Sequence, residues 1–415
     1  MKLSNILRGA VAALALGSVG WVAYDTLKPT EAIGQSAMIT DGEIGFVVYA
    51  FGNAMARGPT SCPDGHSIGY QQIYEQSPEG QRQPGEEDAA FARRVQGGAF
   101  RVATVNGQNL CSHPELAQDP NYRTMNATNV TSYGIDLDGQ NSRANGRPAG
   151  GTCAHNDFSG VNGMRGVDNQ MLRVVGCTGN MARTELEQSG TPLTNDDLPP
   201  YTPGAAEGAI SAGGWGIVVR LRGVDDLRND NDVIVGIYAN ADPVQLSPAR
   251  TPIPNVTYAA DQDPRFRAEA HGRIVNGVLT TDPVDMRMRW VVAGLNLERP
   301  INHARVRLTF TPDGGIQGYI GGYVPIEAMY DLQYGFRSAK DDQGRPIPAA
   351  MTGGMAVGGS SVMGRTCQGA YWALQQLADG DPDPATGDCT SISAQYWIRA
   401  LPAFVVDAET NSVNQ

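Results

Sequence analysis

Aspartate, asparagine and glycine are concentrated between residues 134 and 169, and oxygen-rich side chains of this kind bind hard cations. Five residues of this segment are candidate ligands: Asp136, Asp138, Asp157, Asp168 and Asn169. Calcium takes about six to eight oxygen ligands, and glycine allows a loop to fold back around the ion. The segment therefore predicts a calcium site. In the alternative interpretation, the same side chains cap turns through Asx hydrogen bonds and bind no ion.

A second acidic segment covers residues 379–389. Its alternating aspartates resemble the start of an EF-hand loop, but Pro384 and Thr390 stand where that loop requires glycine and glutamate. The sequence excludes an EF-hand here and leaves an irregular calcium loop open.

Paired carboxylates also catalyse glycoside hydrolysis when they lie about 5 Å or about 6.5–9.5 Å apart. The alternative function is therefore a carbohydrate-binding or carbohydrate-hydrolysing β-sandwich protein. Four tryptophans are candidate platforms for sugar stacking: Trp215, Trp290, Trp372 and Trp397. Because Trp290 lies on the apolar side of an alternating segment, core packing is the competing explanation for these rings.

Several common cofactor motifs are missing from the sequence. It contains no phosphate-binding loop of the form GxxxxGK[ST], no GxGxxG after a strand and no CxxCH. These absences argue against nucleotide cofactors and covalently attached haem. The single GxSxG match, at residues 65–69, follows turn-forming residues rather than a strand, so we interpret it as a chance match and predict no catalytic residue.

Arginines alternate with apolar residues in two segments, 284–292 and 304–310. If the two strands pair, four of these arginines share the outer face: Arg287, Arg289, Arg305 and Arg307. Like charges on one face need neutralisation. Neighbouring acidic residues such as Asp285 and Glu298 would make the arginines structural, whereas an anionic partner would make them a binding surface.

The chain has six cysteines, Cys62, Cys111, Cys153, Cys177, Cys367 and Cys389, and no close CxxC spacing. An even number of cysteines in an exported protein predicts structural disulfides. Because the cysteines fall into three sequence-local couples, we predict the pairs 62–111, 153–177 and 367–389.

The N-terminus has the pattern of an export signal. Lys2 and Arg8 precede an apolar run over residues 9–24, and Trp21 stands where a cleavage site needs a small residue. We predict a retained signal-anchor over residues 1–27, a transmembrane helix that tethers the protein to the periplasmic side of the cytoplasmic membrane. Secretion after cleavage is the alternative.

The rest of the chain is predicted to be mainly β, because short alternating segments are separated by turns. A connector at 28–44 leads to a loop-rich, disulfide-linked β region at 45–186, and a Pro/Gly linker follows at 187–214. Residues 215–415 are predicted to form an antiparallel β-sandwich or barrel-like domain. Helical spacing of apolar residues predicts one short helix near 366–378.

With 43 acidic against 31 basic residues, a formal net charge of −12 disfavours nucleic acid as a partner. These observations favour a noncatalytic, membrane-tethered extracytoplasmic binding module or an accessory subunit of a membrane protein complex. Its expected partners are the membrane, through the N-terminal helix, and another protein. Calcium is the one cofactor that the sequence suggests.

Overall fold

A computed structural model describes residues 39, 41–54, 56–57, 62–126, 130–142, 153, 155–160, 164–179, 201–203, 216–248, 252–292 and 294–407. The described part of the chain is mainly β, as predicted. None of its helices is long and apolar enough to cross a membrane. The predicted signal-anchor lies outside the described residues.

The described strands, numbered in chain order, are β1 (Glu43–Ala54), β2 (Ala56–Arg57), β3 (Thr104–Val105), β4 (Gln108–Asn109), β5 (Thr131–Ser132), β6 (Ser159–Gly160), β7 (Tyr201–Pro203), β8 (Ile217–Arg222), β9 (Asn229–Ala239), β10 (Val256–Ala260), β11 (Arg267–Val275), β12 (Val278–Thr281), β13 (Val284–Val292), β14 (Leu295–Phe310), β15 (Ile316–Pro325), β16 (Gly380–Pro382) and β17 (Cys389–Asp407). The helices are α1 (Tyr70–Gln76), α2 (Asp88–Val102), α3 (Gln170–Val175), α4 (Ile326–Tyr330), α5 (Ala349–Met363) and α6 (Cys367–Leu377).

Eight strands form a closed, all-antiparallel ring. Its order is β1, β8, β9, β11, β12, β14, β15 and β17, and β17 pairs back with β1. β14 shows why the strands bury one side, because its buried and half-buried residues alternate over most of its length. Inside this ring of strands, the centres of the aromatic side chains of Phe46 and Phe310 lie 6.5 Å apart. Phe51 packs against Trp290 and Tyr396 at 5.5 and 5.4 Å.

The ring draws strands from both sides of the predicted 187–214 linker. β1 belongs to the first predicted β region, yet it pairs with β8 and β17 of the second. Within the linker range, β7 pairs with residues 52–54 of β1. Residues 187–200 and 204–214 lie outside the described residues.

The helix predicted near 366–378 is confirmed as α6, and the Thr366 hydroxyl caps it by accepting a hydrogen bond from the Gly369 backbone N–H at 3.2 Å. No other helix was predicted in this half, yet the structure also has α4 and the glycine-containing α5 there. Glycine disfavours a helix by about 1 kcal/mol per residue. Burial of one face, including Ala356 and Val357, stabilises α5 in spite of its glycines.

The predicted cysteine pairing is wrong, although all six cysteines do form disulfides. The bonds are Cys62–Cys177, Cys111–Cys367 and Cys153–Cys389, with sequence separations of 115, 256 and 236 residues. The prediction paired cysteines that are close in sequence, whereas this antiparallel fold brings distant segments together. Two of the three bonds connect the first predicted β region to the second.

Candidate metal centre

The two acidic segments meet in one pocket of about 260 Å³, which we call the acidic pocket. Its lining residues are Asp138, Gln140, Ser142, Cys153, His155, Asp157, Asp168, His303, Tyr323, Asp379, Gly380, Asp381 and Pro382. The Cys153–Cys389 disulfide joins the two segments beside it. Thus residues predicted as two separate candidate loops contribute to a single site.

Asp157 and Asp168 are brought together by a short antiparallel bridge. Phe158 and Val167 exchange two backbone hydrogen bonds at 3.0 and 3.1 Å, and each lies next to one of the aspartates. Both residues are only 3% exposed. The bridge therefore places two buried acidic groups side by side.

Asp136, Asp138 and Asp168 form the tightest group, with one oxygen from each carboxylate within 4.8 Å of the others. Backbone N–H groups orient all three. Asp136 accepts from Gly139 at 2.7 Å, Asp138 accepts from Gln140 at 2.7 Å, and Asp168 accepts from Leu137 at 2.6 Å. The first two bonds are the Asx turns of the alternative interpretation, but they leave the second oxygen of each carboxylate for another ligand.

Glycine is required where this loop meets the Asp168 segment. Gly166 has φ +72°, and a Cβ there would lie 2.4 Å from the backbone oxygen of Gln140 and 3.0 Å from Asp136 Oδ2. A side chain at position 166 would therefore push the 136–140 loop away from Asp168.

Asp379 of the second acidic segment lines the pocket and lies two residues after the end of α6. Its carboxylate accepts a hydrogen bond of 2.6 Å from the Ser393 backbone N–H of β17, and its own N–H donates to the Ser391 carbonyl. Asp157 is held similarly by the Ser142 N–H at 2.6 Å. The backbone thus fixes both Asp379 and Asp157.

The electrostatics of the pocket disfavour negative charge. Burial and the neighbouring carboxylates raise the pKa of Asp136 to about 6 and that of Asp379 to about 7. The same causes raise the pKa of Asp168 well above its usual range, and burial beside four aspartates strongly raises the pKa of Tyr323. None of the described lining residues is lysine or arginine. A bound cation would remove this repulsion.

Two histidines line the pocket. His155 Nε2 lies 2.8 Å from the Ala378 carbonyl, and burial lowers the pKa of this imidazole. His303 lies 3.4 Å from Asp381. His303 and Tyr323 were not predicted as site residues, since each stands in a strand segment whose pattern indicates only sheet structure.

Asn169, the fifth predicted ligand, lies apart from the acidic pocket's lining. Its side-chain amide donates to the Ser132 hydroxyl at 3.1 Å and to the Ala54 carbonyl at 3.4 Å. The residue directly precedes α3 and ties it to β5 and β1. In this position Asn169 links structural elements and does not face the aspartates.

The four predicted arginines do not form one continuous row. β13 pairs with residues 295–304 of β14, so Arg287 and Arg289 lie opposite Pro300 and Glu298 rather than beside Arg305 and Arg307. Arg287 bonds Glu298 at 2.7 Å, Arg289 pairs with Asp261, and Arg305 Nε donates to the Leu137 carbonyl at 3.2 Å. Arg307 is half-buried on β14.

The tryptophans do not line the acidic pocket. Trp290 and Trp397 are 6% and 2% exposed, as the core-packing explanation predicts, and Trp372 donates its indole N–H to the Ala117 carbonyl at 2.8 Å. Trp215 lies outside the described residues. Ser67 of the GxSxG match is 2% exposed and accepts a hydrogen bond from the Arg123 N–H at 2.7 Å, so it is a buried structural serine.

No protein-family model, curated protein or solved structure matches this chain. The site is therefore interpreted from its own geometry.

Proposed function

We propose that the acidic pocket binds a calcium ion, and that the protein is an extracytoplasmic, calcium-stabilised binding module without catalytic activity. The observation that carries this proposal is the Asp136, Asp138 and Asp168 group, whose oxygens lie within 4.8 Å of one another. Oxygens bound to one calcium at about 2.3–2.6 Å can be at most about 5 Å apart. The three carboxylates therefore match the size of a single coordination sphere.

The chemistry of the ligands favours calcium over other metals. The group offers carboxylate oxygens, and hard cations such as calcium and magnesium prefer these to nitrogen or sulfur. Magnesium keeps several waters in a strict octahedron, whereas calcium accepts many protein oxygens in irregular geometry. Backbone hydrogen bonds already orient the three carboxylates, which lowers the ordering cost of binding.

The proposal also includes a membrane anchor and a protein partner. A retained helix at 1–27 would hold the protein at the periplasmic face of the cytoplasmic membrane, and its closed, antiparallel body would serve as an accessory subunit there. Arg287, Arg289, Arg305 and Arg307 remain the proposed contact with an acidic protein partner. Arg287 and Arg289 form exposed ion pairs, which contribute little to folding, so these two side chains can exchange partners at small cost.

Calorimetric titration with calcium tests the ion site. We expect calcium to bind and magnesium to bind more weakly. Asp136→Asn combined with Asp168→Asn should abolish binding while the fold, checked by circular dichroism, is retained. Asp225→Asn, an exposed change outside the acidic pocket, is the matched control. The proposal would be contradicted if the wild-type protein released no heat of binding at millimolar calcium and its melting temperature did not change.

A second function, carboxylate-catalysed glycoside hydrolysis, is favoured by one observation. Burial raises the pKa of Asp379 to about 7, which would let it act as a general acid near neutral pH. Release of reducing sugar from a panel of polysaccharides, lost in Asp379→Asn, would favour this function over a purely structural ion site.

A further inference from the structure

Arg299 is a fully buried arginine on the inner side of β14, with 0% of its surface exposed. It lies opposite Met288 of β13, among residues that are otherwise apolar or aromatic. Arginine keeps its proton in proteins, so this side chain carries a positive charge into the core. A buried charge is costly unless it is paired and hydrogen-bonded.

Aromatic rings cover the guanidinium of Arg299. Its Cζ atom lies 3.8 Å from the centre of the Trp290 ring and 4.8 Å from that of Tyr396. Such contacts attract the cation through the faces of the rings. They do not accept hydrogen bonds from N–H groups that point outward in the guanidinium plane.

The hydrogen-bond donors of this cluster have no acceptor among the described residues. Nε, Nη1 and Nη2 of Arg299 all lack a partner, and the buried hydroxyl of Tyr396 lacks one as well. Arg365, another buried arginine at 8% exposure, differs because its Nη2 donates to the Gln333 carbonyl at 2.9 Å. Unsatisfied buried donors in such number indicate an acceptor that the described residues do not provide.

We propose that a chloride ion binds at the edge of the Arg299 guanidinium and accepts hydrogen bonds from this side chain and from Tyr396. A monatomic anion is favoured over an organic carboxylate, because the rings cover the guanidinium and the residue has no exposed surface. The site is separate from the acidic pocket and does not depend on calcium. Its role is to neutralise the charge enclosed by the ring of strands.

Thermal melts in sodium chloride and sodium gluconate at equal ionic strength test the site. A ligand that binds only the folded state raises its stability by mass action. We expect the wild-type melting temperature to be about 2–4 °C higher in chloride, with bromide able to replace chloride. Arg299→Met should remove this difference, while the control Arg365→Met should keep it. An equal chloride effect in Arg299→Met would overturn the proposal.

Crystals of the wild-type protein grown in bromide give a second measurement that does not depend on whether a variant folds. The expected result is an anomalous bromide peak in contact with the Arg299 guanidinium and the Tyr396 hydroxyl. Absence of that peak would show that the two aromatic rings alone hold the charge, and the chloride site would be rejected.

Discussion

Cys153 is bonded to Cys389 across 236 residues, and the bond stands where the two acidic segments meet. Cys153 lines the acidic pocket, four residues before Asp157. Cys389 begins β17, and residues 380–382 of β16 pair with its first residues. The disulfide therefore connects the wall that carries Asp157 and Asp168 to the wall that carries Asp379 and Asp381.

We predict that removing this bond weakens calcium binding. Cys153→Ser with Cys389→Ser should lower calcium affinity, because the two walls are then free to separate. The change should also lower the free energy of unfolding by about 5.5 kcal/mol, the chain-entropy value for a loop of this length. Calorimetric titration and urea unfolding measure the two effects.

The matched control is Cys62→Ser with Cys177→Ser, which removes a bond whose two cysteines do not line the pocket and leaves the two walls joined by Cys153–Cys389. Its stability should fall by a similar amount, since loop entropy grows slowly with length. Its calcium affinity should stay near the wild-type value. Equal loss of affinity in both double variants would mean that the Cys153–Cys389 bond has no special role at the site.

The second prediction concerns pH in the absence of calcium. The folded-state pKa values of Asp136 and Asp379, about 6 and about 7, exceed the unfolded value near 4. The folded state therefore binds more protons between pH 4 and 7, and the stability from these two groups falls as pH rises through this window. Melts with chelator at pH 5 and pH 7.5 should show the lower melting temperature at pH 7.5.

Calcium should reverse that dependence, because an ion stabilises the ionised carboxylates. At saturating calcium, the melting temperature at pH 7.5 should equal or exceed that at pH 5. Asp136→Asn with Asp379→Asn should flatten the chelator profile. Carboxylates with lowered pKa, such as Asp263 and Asp407, lose their contribution only at still lower pH and do not mask the effect. A chelator profile that rises from pH 5 to pH 7.5 would contradict this prediction.

Local patterns predicted local structure well. Period-two alternation predicted a strand at 284–292, and β13 spans Val284–Val292. Oxygen-rich composition identified Asp136, Asp138, Asp157 and Asp168, all of which lie in or beside the acidic pocket. Such patterns succeed because the residues that set them are neighbours along the chain.

Features set by distant residues could not be predicted in this way. The closure of the ring depends on β1 pairing with β17, and the disulfides depend on the same long-range contacts. Tyr323 enters the pocket only because β15 lies beside β17 there. The glycines of α5 gave a misleading local signal that burial of one helix face overrides.

The third prediction concerns the N-terminus. We expect residues 1–27 to remain on the mature chain, because no well-placed small residues follow the apolar run. N-terminal sequencing of the protein from its native membrane fraction should begin near Met1, and detergent rather than high salt should release it. A variant in which a cleavable export signal replaces residues 1–27 should be found in the soluble periplasmic fraction. A mature chain that begins at Trp21 or later would contradict the anchor.

The last prediction separates the structural and the partner roles of the arginines. Arg289 pairs with Asp261 and is 44% exposed, so Arg289→Glu should change the free energy of unfolding by no more than about 1 kcal/mol. If loss of this ion pair is the only cause of that change, Asp261→Arg combined with Arg289→Glu should restore the wild-type melting temperature.

If the arginines bind an acidic partner, Arg289→Glu with Arg305→Glu should release the protein from its native complex in pull-downs, and high salt should do the same. The swap with Asp261 should not restore partner binding, because it repairs the ion pair but not the positive surface at position 289. Wild-type levels of partner in Arg289→Glu with Arg305→Glu would assign these arginines to structure alone.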